Sequence, residues 1–264
     1  MECRICSSRT APFDAASVMG KYEATFSRCP QCGFIQADNP IWIHESYSKP
    51  VTWSDVGMVD RTLNLAQVTR AVIVVLLHRR GRFVDYGGGY GLFTRLMRDR
   101  GFDFYCFDKY CRNFFAPQFC VNEIGDGNFE MVTAFEVMEH LVDPLLQFTK
   151  MLSFSKNILV STELVPAIPP KLNDWWYYGT EHGQHISFYT LASLQTIAEQ
   201  NGVSLTTNGR NIHLFSRRKI SSNIFKLITT PFFSRLINLV SRNGSLLGND
   251  FQMCRNPSSN EEDT

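Results

Sequence analysis

The sequence has no long hydrophobic run and almost no net charge. Its longest apolar stretch, Ala71 to Leu77, falls far short of the roughly 20 residues of a membrane-spanning helix. A formal net charge of +1 over 264 residues argues against a nucleic-acid partner, because such proteins carry a clear basic excess. The opening Met1-Glu2-Cys3 lacks the basic and apolar regions of a secretory signal, and no internal repeat is present. Eight cysteines without an export signal belong in a reducing compartment, where paired spacing points to metal rather than disulfides. The expectation is a soluble, cytoplasmic protein. With 44% hydrophobic residues, the chain can build one substantial domain and an appendage.

The cysteines open the reading of what is there. Cys3-x-x-Cys6 and Cys29-x-x-Cys32 supply four thiolates, the donor set of a tetrahedral, structural Zn2+ site with no open position. Gly33, directly after the second pair, relieves a tight turn around the metal. Residues 1–38 thus form a zinc-binding segment, and residues 39–81 a connector followed by a helix over about 55–78, with Ser54 or Asp55 as its cap. The domain that follows is expected to fold without this metal.

From residue 82 strand-like and helix-like stretches alternate, which predicts an α/β domain with a parallel sheet covered by helices. Strands are expected at 82–86, 102–107, 129–135 and 157–162, with a weak one near 119–124. Helices are expected at 92–100, 143–152 and 190–200, the last ending at Asn201-Gly202. Residues 203–207 and 212–217 should pair antiparallel through Asn208-Gly209. Residues 82–217 make the α/β domain, and 218–264 an amphipathic tail whose last dozen residues are expected to be disordered.

The chemistry concentrates just after predicted strands, where open α/β sheets bind ligands. Arg82-Phe-Val-Asp85 runs straight into Tyr86-Gly87-Gly88-Gly89-Tyr90-Gly91. This order sets backbone N–H groups and a helix N-terminus against a ligand with no Cβ in the way. A dinucleotide fingerprint needs a small residue where Leu92 stands, which opposes a Rossmann oxidoreductase. Asp108 lies twenty-three residues after Asp85, at the next strand's end. A carboxylate there can accept ribose hydroxyl protons.

The motif Asp85-x-Gly87-x-Gly89-x-Gly91 resembles the first motif of class I S-adenosylmethionine (SAM) dependent methyltransferases. Asp108, Phe135-Glu136-Val-Met-Glu139-His140-Leu-x-x-Pro144 and Gly183-Gln-His185-Ile-Ser-Phe-Tyr-Thr190 extend the resemblance over about residues 60–217. With the cysteine pairs in front, the chain is similar to bacterial sugar methyltransferases, without the large C-terminal domain of those that methylate carbon. The resemblance implies a Rossmann-like, seven-stranded, mostly parallel sheet flanked by helices, and SAM as cofactor. It implies methyl transfer to a small-molecule or glycan acceptor, in the manner of glycan biosynthesis.

Asp85, Gly87, Gly89, Gly91, Asp108, Phe135 and Glu136 are the implied cofactor residues. His185 matches the histidine that faces the acceptor and is the expected general base, with His182 and His140 as alternates and Glu139 orienting the acceptor. Some O-methyltransferases bind a divalent cation at a similar Glu-x-x-Glu-His, and the resemblance leaves that open at Glu136, Glu139 and His140. It equally leaves open a protein that binds SAM without turnover. Trp175-Trp176-Tyr177-Tyr178 could cover an acceptor or simply pack its insertion.

The tail carries Arg217, Arg218, Lys219, Lys226, Arg235 and Arg242 with no acidic residue among them. Its apolar residues recur at helical spacing, interrupted at Pro231. Such a face suits peripheral contact with an anionic membrane, or two short helices packed over the domain.

Overall fold

The computed structural model describes residues 1–47, 55–121, 128–240 and 243–255. An antiparallel hairpin, β1 (Ala11–Val18) and β2 (Tyr22–Arg28), is followed by β3 (Ile35–Ala37). Two helices come next, α1 (Ile43–Ser46) and α2 (Met58–Leu76). Gly57 starts α2 without a side-chain cap; Asp55 turns to Arg61 instead, at 2.8 Å. Ser54 lies outside the described residues.

The α/β domain contributes β4 (Arg82–Tyr86), α3 (Leu92–Asp99), β5 (Asp103–Phe107), β6 (Met131–Phe135), α4 (Pro144–Phe154) and β7 (Ile158–Ser161). It continues through β8 (Ser187–Phe188), α5 (Leu191–Gln200), β9 (Ser204–Thr207) and β10 (Ile212–Ser216). The chain ends in α6 (Ser222–Ile228), α7 (Pro231–Val240) and α8 (Leu247–Arg255).

The main sheet has the order β5-β4-β6-β7-β10-β9. Strands β5, β4, β6 and β7 run parallel, and β10 is antiparallel to both β7 and β9. Six strands, rather than seven, form this sheet among the described residues. At the seventh position only Cys120 bridges β5, through Cys106, and residues 122–124 lie outside the described set. The chain leaves β4 towards β5 on one side and β6 on the other. The crevice at the carboxyl ends of β4, β5 and β6 is therefore the topological switch point where such sheets bind ligands.

Both sheet faces are buried, so alternate residues serve opposite layers. Phe83, Met131, Leu159 and Leu214 face α2, α3 and α6, while Val84, Val132, Ile158 and Phe215 face α4 and α5. Asp143 accepts a hydrogen bond from the Leu146 N–H with Pro144 in the first turn, and Thr190 with Ser193 forms a capping box on α5. Asn208 closes the β9–β10 turn by accepting from the N–H groups of Arg210, Asn211 and Ile212.

The N-terminal segment is joined to this domain. β8, from the insertion, adds to β3 so that the second sheet reads β1-β2-β3-β8. Cys3, Cys29, Cys32 and Phe34 share one core with Val84, Tyr86 and Tyr189. The four-cysteine segment therefore packs into the domain's core rather than standing apart as a separate body. Pro231 splits the tail into α6 and α7, which pack on α2. Helix α8 is anchored by Asp250, which receives Arg98 at 2.7 Å and Arg95 at 2.8 Å. The tail's last nine residues, 256–264, lie outside the described set, as does Arg242.

Candidate active site

The loop after β4 is built from glycines for two different reasons. Gly87, Gly89 and Gly91 all have positive φ, at 69°, 54° and 82°, which favours glycine. At Gly87 a Cβ would lie 2.7 Å from Val137, and at Gly91 even closer to Asn113. At Gly89 a Cβ would meet nothing within 4 Å, so this is where the loop opens. The Gly89 N–H donates to Asp108 Oδ2 at 2.9 Å, and Asp108 Oδ1 accepts from the Tyr110 and Cys111 N–H groups, each at 2.8 Å. A carboxylate offers about four lone-pair directions, so Asp108 keeps capacity for a ligand hydroxyl while it fixes the loop. An open glycine face beside a carboxylate, at the switch point, fits the nucleoside and amino-acid parts of SAM.

Asp85 sits beneath the loop, buried, and accepts from Thr133 Oγ1 at 2.7 Å. A Cβ on Gly88 would come within 2.7 Å of its other oxygen. Burial pushes its pKa from 3.8 up to about 7, which Thr133 only partly opposes. The proton is therefore held more tightly in the folded chain than in the unfolded one. Stability is full below about pH 4 and falls as pH rises towards 7. Asp85→Asn keeps an acceptor for Thr133 and removes that ionisation. We expect the variant to be more stable than the parent above pH 7, by at most about 4 kcal/mol, and equal to it below pH 4. Urea unfolding between pH 4 and 8 checks this; a less stable variant at pH 8 would contradict it.

Phe135 ends β6 and packs edge-on against Phe93 at 5.0 Å. Glu136 follows with φ of 53°, a strained conformation for a residue other than glycine. It is held there because its N–H donates to Ser161 Oγ (2.9 Å), while Ser161 donates back to Oε1 (2.7 Å). Arg61 reaches its Oε2 from α2 at 3.5 Å. Burial raises the Glu136 pKa, and Arg61 and Ser161 oppose the rise.

Glu139, His140 and His185 come together next to this turn, each offering a ligand atom within 4.8 Å of the others. Glu139 is fully buried, and neither carboxylate oxygen has a hydrogen-bond partner among the described residues. The neighbouring Tyr177 and Thr162 hydroxyls bond each other at 3.0 Å. Burial, with Glu136 nearby, holds the Glu139 carboxyl well above the usual range.

His185 Nδ1 donates to the Tyr177 carbonyl at 2.6 Å, and His140 Nδ1 to the Gln184 carbonyl at 3.2 Å. Carbonyls only accept, so both rings carry the proton on Nδ1 and leave the Nε2 lone pair free. Burial lowers both pKa values, His140 to about 4 and His185 well below its ordinary value, so both rings are neutral near pH 7. His182 differs. Its Nδ1 accepts from the Gln184 N–H at 3.1 Å, which puts its proton on Nε2.

The aromatic run resolves into two roles. Tyr177 and Tyr178 are buried in the core of the N-terminal sheet and the insertion, and only Trp176 is strongly exposed. Packing places the Tyr177 carbonyl under His185. Sequence reading missed Arg61, Thr133 and Ser161. Ser161 could have been found as a polar residue closing a buried strand at the ligand edge. Nothing in the local sequence marks Arg61, which lies in the first turn of α2.

In the N-terminal segment the Cys3–Cys32 and Cys6–Cys32 sulfur pairs are 3.6 Å apart and Cys6–Cys29 3.4 Å. Tetrahedral zinc with bonds of about 2.3 Å sets sulfurs about 3.8 Å apart. The Ile5 and Cys32 N–H groups donate to Cys3 and Cys29 Sγ at 3.4 and 3.5 Å. The set fits one zinc ion. Cavity size alone would not single out the active site: a hollow of about 480 Å3 lined by Arg28, Glu163, Thr190 and Arg210 contains none of these groups.

At the switch point of a mostly parallel sheet the chain thus gathers a glycine loop, a strand-end carboxylate and two histidines. The chain belongs to the methyltransferase-domain family, whose model matches residues 61–208. It is similar in structure to TnmH, with 16% identity, a TM-score of 0.48 and coverage of 68% of this chain and 62% of that one. The chain thus spans less than two thirds of TnmH. A SAM-dependent methyltransferase from Thermotoga maritima, described as a possible histamine N-methyltransferase, shows 12% identity and a TM-score of 0.48, covering 68% and 100% of the two chains. Magnesium protoporphyrin IX methyltransferase from Synechocystis, with SAH bound, shows 14% identity and a TM-score of 0.44, covering 66% and 94%. No functionally curated protein matches in sequence.

Proposed function

We propose that this chain transfers the methyl group of SAM to a hydroxyl of a small-molecule or sugar acceptor, and that His185 takes the acceptor's proton. The observation that supports this most is the tautomer of His185. The Tyr177 carbonyl binds the Nδ1 proton at 2.6 Å and leaves Nε2 as a proton acceptor beside Glu139 and His140. Bound SAM supplies an activated methyl carbon whose leaving group needs no acid. The residues therefore need only to align the partners and remove a proton. Gly87, Gly89 and Gly91 admit the cofactor's amino-acid part, Asp108 takes its ribose, and Phe135 with Glu136 closes one side. The buried Glu139 carboxyl lies beside this ring and orients the acceptor.

Two measurements test this reading. Gly89→Val places a side chain in the open face of the loop, and Asp108→Ala removes a charge-assisted contact of about 1.5–3 kcal/mol. Both should weaken SAM binding in calorimetry, and parental affinity in both would remove the cofactor assignment. Methyl-labelled SAM incubated with cell extract should label a glycan or small-molecule fraction. Binding of SAM without any labelled product would point to a SAM-binding protein that has lost turnover.

One observation favours a second reading. The Glu139 carboxylate and one ring nitrogen each of His140 and His185 lie within 4.8 Å of one another, a donor set for a divalent cation that would acidify the acceptor hydroxyl. Turnover that requires added Mn2+ favours the cation; turnover indifferent to it favours the histidine acting alone.

A further inference from the structure

Charge is segregated along this chain. From Gln200 to Asn249 there is no acidic residue, while Arg210, Arg217, Arg218, Lys219, Lys226, Arg235 and Arg242 are basic. The remainder then holds 19 basic against 25 acidic residues, so a near-neutral total hides a cationic stretch over residues 200–249. Most of this excess lies on or just before α6 and α7.

The two helices use one face each for packing. α6 turns Phe225 and Ile228 inwards, and α7 turns Ser234 inwards with Ile237 partly buried against the core around α2. The outer faces carry large apolar residues among polar and basic ones. Ile224 and Leu227 are 47% and 45% exposed on α6, and Phe232, Leu236 and Leu239 are 70%, 45% and 74% exposed on α7. The α7 residues fall at i, i+4 and i+7, one continuous stripe. Exposed Lys226 and Arg235 stand beside them, and Arg217, Arg218 and Lys219, also exposed, lead into α6.

We propose that this outer face of α6 and α7 docks the chain peripherally on an anionic lipid surface. The apolar stripe would enter the boundary between headgroups and acyl chains, and the cations would meet lipid phosphates. No helix among the described residues is long and apolar enough to cross a membrane, so the contact is interfacial. Charge decides between the occupants. A symmetric contact with a second copy would bring the same cations together without an acidic partner. A nucleic acid would satisfy the cations and leave the aliphatic stripe in water. An anionic bilayer satisfies both. This inference is independent of the catalytic reading, since none of these side chains belongs to the site.

Co-sedimentation of the full chain with phosphatidylcholine vesicles, with and without about 30% phosphatidylglycerol, tests the proposal. We expect at least about tenfold stronger binding to the anionic vesicles in about 0.1 M NaCl, largely lost in about 0.5 M. Lys226→Glu with Arg235→Glu should abolish the preference, and Phe232→Ser with Leu239→Ser should weaken binding to the same vesicles. Both pairs should keep the parental melting temperature and SAM affinity, because the changed side chains are exposed. Binding to neither vesicle, equal binding to both, or parental binding by the charge-reversed pair overturns the proposal. So does a dimer in sedimentation velocity that the Phe232 and Leu239 changes dissociate, which would give the face to a second copy.

Discussion

His185→Ala is expected to turn over acceptor about a hundredfold to ten-thousandfold more slowly than the parent, the range for loss of a positioned general base. SAM affinity should stay unchanged, because the ring lies with Tyr177 and His140 rather than on the glycine loop. The separation of the two readouts carries the argument. A variant that lost SAM binding would reveal a collapsed pocket, whereas one that binds SAM but is slow has lost chemistry. Parental turnover would move the proton to His140, whose Nε2 is also free. His182 is the weaker substitute, since its neutral ring presents an N–H at Nε2.

The second large effect is expected from the cysteines. Cys29→Ser with Cys32→Ser should remove about one equivalent of zinc per chain, measured by elemental analysis, and should destabilise the whole described fold. Structural zinc contributes about 10–16 kcal/mol in small zinc domains, as much as the entire net stability of a typical protein, about 5–15 kcal/mol. The path from the four-cysteine segment to the candidate site is short. Thr190 Oγ1 donates to the Cys32 carbonyl, Phe34 packs on Tyr189 at 5.0 Å, and the Tyr189 hydroxyl donates to the Met138 carbonyl at 2.9 Å. Met138 precedes Glu139 and His140. Thermal unfolding followed by circular dichroism checks the effect; metal-free protein that melts with the parent would contradict it.

The strongest signals in the sequence were those whose cause is local. Glycines at positive φ, the Asp143–Pro144 and Thr190 helix starts and the Asn208-Gly209 turn each depend on a few adjacent residues, and each is where it was expected. The paired cysteines were legible because Cys-x-x-Cys spacing is local, and the four sulfurs do come together. The weak strand near 119–124 reduced to a single bridge at Cys120 within the described residues, and residues 122–124 are not among them. The Trp175–Tyr178 run was ambiguous because an aromatic ring suits an acceptor pocket and a core equally; Tyr177 and Tyr178 went to the core.

By itself the sequence determined the parallel α/β sheet, the glycine loop after Asp85, the four-thiolate set and the split of the tail at Pro231. These follow from backbone geometry and from donor chemistry over short spans. Only the tertiary structure decided which distant groups meet. It brought Arg61 from α2 to Glu136, joined the insertion to the N-terminal sheet through β8, and buried the thiols in the domain's own core. It also set the carbonyls of Tyr177 and Gln184 against the Nδ1 atoms of His185 and His140. Such contacts arise when packing minimises exposed apolar surface across the whole chain, and no window of adjacent residues contains that information.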